Sequence, residues 1–226
     1  LNLEQYKAQT RIIGVTTPVV DFIPDSEGII SYTARVSAPQ NQENFDTADK
    51  LLTYCAKNSH WSVFEMSNAV IELKAPRDIS RQVLRHKSAA FQEFSQRYAE
   101  VDEQMFVLRE ARLQDTKNRQ NSIALEDNYL QEAWEERQTR VILEATEAYK
   151  WAIKQGIAKE CARVVLPEGN TMSNMYMNAT MRTWLHYCGL RSGNGTQLEH
   201  IWLAEQCREV LREYFPNLVK FMEASK

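Results

Sequence analysis

Cysteine is sparse and scattered in this chain, which argues against two classes of protein. The four present are Cys55, Cys161, Cys188 and Cys207; none forms a C-x-x-C pair, and each sits in a helix-like apolar pattern, as in Leu51-Leu52-x-x-Cys55. They are expected to be small buried hydrophobes in a reducing compartment, not a disulfide framework. Histidine is equally sparse: His60, His86, His186 and His200 lack ligand-like spacing to the cysteines or to one another, so no zinc or other metal site is expected. No apolar run is long enough to cross a bilayer, and the opening Leu1-Asn2-Leu3-Glu4-Gln5 is too polar for a signal peptide. Leu1 in place of Met leaves room for a native start upstream. The expected setting is soluble and cytoplasmic, or the host cytoplasm if the gene is viral. An excess of positive charge is also missing. A formal charge of −3 argues against wrapping a nucleic acid, while allowing a local cationic cluster for a small anion.

Composition is otherwise ordinary for a globular protein, with 43% hydrophobic and 25% charged residues. The length suits one domain over 1–226, with no internal repeat or low-complexity tract. Residues 12–24, broken by Pro18 and Pro24, suggest a short strand and turn. Residues 46–58 read as a helix with Asp46 or Thr47 as N-cap. Val70, Ile71 and Leu73 suggest a strand ended by Pro76. Helical spacing follows over 77–88. The polar stretch 114–128 reads as a loop. A long helix is expected from about Asp127 to Gly156, with Leu130, Trp134, Val141, Ile142, Ala145, Tyr149 and Ile153 as its apolar line. Further helices are expected through Cys161 before Pro167, over 179–189, and from Thr196 to Tyr214, stopped by Pro216. The fold class is therefore α+β (mixed α/β), with helix dominant.

Chemistry gathers between Arg77 and Tyr98. On a helix, Arg77, Arg81 and Arg85 stack at i, i+4 and i+8, and like charges at that spacing repel by roughly 0.2–0.5 kcal/mol per pair. No acidic residue lies on the same line to relieve them. His86 and Lys87 follow Arg85 directly. Such a face is either solvated or an anion site where arginine forks grip phosphate. Gln82, Gln92, Glu93, Ser95, Gln96 and Arg97 add mixed donors and acceptors, which suit a nucleotide better than a bare phosphate. Taken singly, other candidates have plain structural readings. Arg163 is a helix-end cation, His186 a satisfied core histidine, His60 a helix-terminal polar residue and Arg191 a C-capping residue. His200, inside the last helical pattern, reads as structural.

Arg85-His86-Lys87, seven residues, then Ser95, continuing through Arg97-Tyr98, closely resembles the signature of the flavin-dependent thymidylate synthases. The match extends through Arg81-Gln82 upstream and Gln92-Glu93-Phe94 within the spacer. Other blocks fall in the family's order. They are His60-Trp61-Ser62-Val63-Phe64-Glu65; Ala162-Arg163-Val164-Val165-Leu166-Pro167; and Arg182-x-x-x-His186-x-x-x-Leu190-Arg191 with Thr196-Gln197-x-Glu199. Together they span about residues 34 to 200.

The resemblance implies an enzyme that reduces FAD with NAD(P)H, takes a one-carbon unit from methylenetetrahydrofolate and converts dUMP to dTMP. It implies a single domain with a central sheet flanked by helices, assembled as a homotetramer with sites shared between subunits. By the same resemblance, dUMP would meet Gln82, Arg85, Glu93, Ser95, Gln96, Arg97, Arg163 and Arg191. FAD would meet His60, Ser62, Arg85, His86, Lys87, Glu93, Arg182 and His186. Arg191 would sit against the uracil ring as the catalytic residue, favouring an anionic ring. Ser95 has no obvious base in sequence, so binding or positioning is expected of it. No cysteine stands in a cationic setting, which agrees with a flavin route and not with thiol addition to the ring.

Three positions depart from the family pattern. Lys87 stands where a second arginine is usual and lacks the planar fork, so weaker FAD retention is expected. Thr180 replaces a frequent asparagine. Gly195 replaces a histidine of some members, within a glycine-rich segment Ser192-Gly193-Asn194-Gly195. Three rival readings remain: a nucleotide- or RNA-binding module, another flavin oxidoreductase, and a catalytically dead relative. The carboxylate Glu93, the match at Arg97, Arg163 and Arg191, and the absence of any inert replacement weigh against them in turn.

Overall fold

A computed structural model describes residues 3–193 and 195–224; Leu1, Asn2 and Asn194 fall outside them. In chain order the elements are β1 (Glu4–Gln5), β2 (Gln9–Val15), α1 (Ser26–Ala34), α2 (Ala48–Lys57), β3 (Asn68–Pro76), α3 (Arg77–Val83), β4 (Ala90–Glu93), β5 (Val107–Leu108), β6 (Arg112–Gln114), β7 (Ser122–Ala124), α4 (Asn128–Lys154), α5 (Lys159–Ala162), β8 (Met172–Thr180), α6 (Met181–Arg191), α7 (Leu198–Leu211) and α8 (Pro216–Ala224). The class is mixed α/β, as expected.

The central sheet is antiparallel, in the order β2-β3-β8-β4. Strands β3 and β8 pair along their whole length, from Asn68 opposite Thr180 to Pro76 opposite Met172. Alternation sorts their side chains. Ala69, Ile71, Leu73 and Ala75, with Met175, Met177 and Ala179, are buried in the main core with Trp184, Leu203 and Phe215 of the helical layer. The opposite face carries Glu72, Asn174 and Tyr176, tied together by hydrogen bonds of 3.1 Å from Asn174 Nδ2 and the Tyr176 hydroxyl to Glu72. A second, smaller core beneath α4 gathers Ile142 and Tyr149 with Val101, Phe106 and Leu166.

Helix α4 ends as its sequence requires. Gly156 takes φ 77°, its N–H donates to Ile153, and that of Ile157 to Ala152 at 3.0 Å. Elsewhere the structure corrects the sequence. Helix α3 stops at Val83, well short of residue 88. The presumed loop 114–128 contains most of the hairpin β6–β7. Leu130, Trp134 and Val141, placed on the apolar line of α4, are exposed, because the buried face turns through Ile142, Ala145, Tyr149 and Ala152. Cys161 is exposed, on the short α5, while the other three cysteines are buried.

Two helices and a central strand went unanticipated. Helix α1 starts at a capped Asp25, whose carboxylate accepts from the Gly28 N–H at 2.7 Å. A Cβ on Gly28 would lie 2.9 Å from Pro24 Cδ, so only glycine fits that approach. Pro216 begins α8 instead of merely ending α7; proline suits a first helical turn, where its missing N–H costs nothing. The free N–H groups of α8 are met by Glu27 of α1. Its carboxylate accepts from the backbone of Asn217 and Leu218 at 2.9 Å, and from the Asn217 amide. Burial pushes the Glu27 carboxyl above its usual range, opposed by those donors. Glu27→Ala leaves the start of α8 unsatisfied and is expected to cost about 1–3 kcal/mol, read as a lower urea midpoint. An unchanged midpoint would show that α8 does not depend on that carboxylate.

Candidate active site

Strand β3 runs directly into α3 through Pro76, and the Arg77 N–H donates to Thr171 O at 2.9 Å. The arginine line is relieved after all, from outside the helix. Arg77 lies 3.2 Å from Glu168 and 3.9 Å from Glu93, and Arg81 pairs with Glu93. Glu93 also accepts from the Ser173 hydroxyl at 2.8 Å. Sequence spacing could not show this, because Glu93 reaches α3 from strand β4, which lies beyond β8 in the sheet. Arg85, beyond the end of α3, is the member of the line left without an ion pair among the described residues.

Arg85 lines a cleft of about 430 Å³ with His86, Lys87, Ser88, His186, Leu190 and Arg191. Among the described residues Lys87 and Arg191 also form no ion pair. Arg191 ends α6, and its Nε donates to His86 Nε2 at 3.0 Å. His86 is buried, edge-on to Tyr187 with ring centroids 4.9 Å apart. Burial pushes its pKa down to about 4, helped by the charge of Arg191 and by His186. Neutral His86 accepts from Arg191, so its own proton sits on Nδ1. The ring thus orients the Arg191 guanidinium without cancelling its charge.

A larger cavity of about 1000 Å³ shares Ser88 and His186 with that cleft. Its wall includes Trp61, Leu185, Phe221 and Met222, with Thr180 and Arg182 among its polar lining. Arg182 pairs with Glu65. His186 is exposed on α6 and is not the core histidine its apolar neighbours suggest. Ser62 is exposed in the short turn Trp61–Glu65, and His60 precedes that turn, edge-on to Tyr54 at 5.7 Å. Ser59 sets the direction of His60. It takes φ 58° just past α2, letting the His60 N–H donate to Cys55 O at 2.8 Å.

The remaining residues lie elsewhere. The Ser95 hydroxyl accepts from the Arg97 N–H at 3.3 Å, and Gln96 is buried with its Nε2 unpartnered among the described residues. Arg97 lies 3.4 Å from Glu160 and lines a third cleft, of about 450 Å³, with Tyr98, Ile153 and Lys159. That cleft shares no lining residue with the first two. Arg163 follows α5, which carries Glu160, and forms no ion pair among the described residues. One chain therefore brings Arg85, His86, Lys87, His186 and Arg191 together, and holds Arg97 apart from them.

Gln82 connects to residues that had no assigned role. Its Nε2 donates to Gln197 Oε1 at 2.8 Å, and its Oε1 lies 3.2 Å from His200 Nδ1. Glu199, beside His200, is a buried anion against Arg109 and Arg112. Burial works against its charge, but the two arginines hold its carboxyl below the usual range.

The family described as "Thymidylate synthase complementing protein" matches residues 18–217. A probable flavin-dependent thymidylate synthase of Paramecium bursaria Chlorella virus 1 is 47% identical over 213 residues, 94% of this chain and 98% of that protein. A flavin-dependent thymidylate synthase of Synechocystis sp. is 42% identical over 216 residues, with the same shares covered, 94% and 98%. Among solved structures, a UMP/dUMP methylase, PolB, from Streptomyces cacaoi bound with 5-Br UMP has a TM-score of 0.84 at 23% identity. The match covers 99% of this chain and 97% of that one, a likeness of fold.

Burial also pushes the His200 pKa down, to about 3. Between 6.5 and these depressed values the unfolded chain binds protons more tightly than the folded one. The stability that the two neutral rings contribute is therefore complete above about pH 6.5 and lost as pH falls toward about 4 for His86 and about 3 for His200. In an NMR titration neither ring should protonate between about pH 5 and 8. A His86 midpoint near 6.5 would show that burial does not govern it.

Proposed function

The chain belongs to the flavin-dependent thymidylate synthase family, and on that premise we propose that it converts dUMP to dTMP, with FAD as cofactor, methylenetetrahydrofolate as carbon donor and NAD(P)H as reductant. Residues 1–226 act as one catalytic domain. The observation that carries this reading is the set of cations without a carboxylate partner among the described residues, Arg85, Lys87 and Arg191, beside a neutral His86 in a cleft that shares Ser88 and His186 with a much larger, apolar-walled cavity.

The residues present fit a flavin nucleotide. Trp61, Leu185 and Met222 offer an apolar wall to a flat ring system, and Arg85 and Lys87 offer charge to its phosphates. His60, Ser62, Arg182 and His186 stand at or beside the larger cavity. Bound FAD supplies the redox chemistry. The chain binds and orients dUMP. Arg191, its Nε tied to His86, keeps its two remaining nitrogens for the uracil ring and stabilises negative charge as it develops there. Arg97 and Arg163 grip the phosphate by charge-assisted forks, with Gln82, Ser95 and Gln96 as further donors and acceptors. Glu93 acts through the arginines it holds, since Arg77, Arg81 and Ser173 already occupy its oxygens.

The separation of Arg97 from Arg85 and Arg191 supports a homotetramer in which one subunit's Arg97 region completes the site of another. A single chain places Arg85 and Arg191 in one cleft and Arg97 in another.

An absorbance spectrum of protein given FAD, recorded before and after dUMP, tests the reading. A flavin spectrum that dUMP perturbs is expected. Flavin indifferent to dUMP points to another oxidoreductase, and folded protein that binds no flavin overturns the proposal. Lys87→Arg restores a planar fork and is expected to tighten FAD about threefold to tenfold in a fluorescence titration. An unchanged FAD affinity would show that the phosphates do not use this side chain.

A further inference from the structure

His200 is fully buried and lines none of the clefts described above, yet it touches a residue of the proposed nucleotide site. Its Nδ1 lies 3.2 Å from Gln82 Oε1 and its Nε2 lies 3.2 Å from the hydroxyl of Tyr187. Tyr187 is itself fully buried, and His200 is the sole hydrogen-bond partner of its hydroxyl among the described residues. A buried hydroxyl proton without an acceptor is costly, so Tyr187 donates to Nε2. The ring proton must then sit on Nδ1, where it can only be donated to an acceptor. That acceptor is Gln82 Oε1, which turns the other end of the amide toward Gln197, at 2.8 Å. Every donor in the chain from Tyr187 through His200 and Gln82 to Gln197 points the same way. Reversing the amide would set Nε2–H against the Nδ1 proton. Gln82 is left with one N–H and one lone pair in a defined order, as the edge of a pyrimidine requires.

We propose that His200, its tautomer set by Tyr187, is a positioning residue that locks the Gln82 amide in the orientation that reads the base of the nucleotide. This rests on the reading above in which Gln82 contacts dUMP. His200 acts through Gln82 and touches no reacting atom. The neighbouring Glu199 pairs with Arg109, which also pairs with Asp78 of α3, and this ties α7, and hence the imidazole, to α3.

Calorimetric titration of the protein with dUMP and with dCMP, with melting temperature followed in parallel, tests this. His200→Phe removes both hydrogen bonds and is expected to weaken dUMP binding about tenfold and to lower the preference for dUMP over dCMP. His200→Asn returns a donor near the Nδ1 position and should recover most of the dUMP affinity. Tyr187→Phe frees the tautomer and should weaken dUMP about threefold, which keeps the proposal testable if His200→Phe does not fold. In a Gln82→Ala background, His200→Phe should change dUMP affinity by less than about twofold. If Gln82→Ala weakens dUMP while His200→Phe only lowers the melting temperature, His200 is structural and the proposal is overturned. Should Gln82→Ala itself leave dUMP binding unchanged, the contact between Gln82 and the nucleotide falls, and the positioning role with it.

Discussion

The pairing of β3 with β8 is the constraint on which the rest of the molecule depends. Nine residue pairs in continuous antiparallel register put Ala69, Ile71 and Leu73 on the same face as Met175, Met177 and Ala179. A slip of one residue would turn Glu72 and Asn174 into the core and the apolar set out of it. The two strands also launch the two helices that lead into the candidate site. α3 leaves β3 after Pro76 and α6 leaves β8 after Thr180, at opposite ends of the pair. The Trp184 indole ties α6 back to β3 by donating to Ala69 O at 3.2 Å. With the register set, the segment after α3 and the last residue of α6 meet, and His86 receives Arg191 there.

Charge is distributed on the same plan. Arg77 and Arg81 are matched by Glu93, and Arg109 and Arg112 by Glu199. Unpaired burial of such groups would be strongly destabilising. Among the described residues Arg85, Lys87 and Arg191 are left unmatched in the lining of a cleft. His86 belongs to this arrangement because it is neutral. A charged imidazole would repel Arg191, whereas an uncharged one orients it.

Part of the site was legible in one dimension. The cationic run Arg85-His86-Lys87 and the mixed polar set after it are local features, and the order of the blocks carried the family resemblance. Their relations in space were not legible. Nothing near Arg81 in sequence announces that Glu93 neutralises it. His186 sits in an apolar run but is exposed on α6, and Cys161 is exposed on α5 while its neighbour Ala162 is buried. Burial is a property of what packs against a segment, and helical periodicity cannot supply the partner.

By itself the amino-acid sequence determined what acts within a turn or two of the chain. It set the length of α4 and its stop at Gly156, the end of β3 at Pro76, and the cluster of uncompensated cations that follows α3. Strand β8 shows the boundary of that power. Its alternation of Met175 and Met177 with Asn174, Tyr176 and Asn178 was present to be seen, but its one β-branched residue is Thr180, at its end. Only pairing on both sides, with β3 and β4, makes it the centre of the sheet. The tertiary structure likewise decided that Pro216 opens a helix, because Glu27 arrives from α1 to satisfy its N–H groups. It decided too that His200 meets Gln82 across 118 residues. Such contacts join segments whose meeting depends on how every intervening element packs, and no local rule for backbone or side chain contains that information.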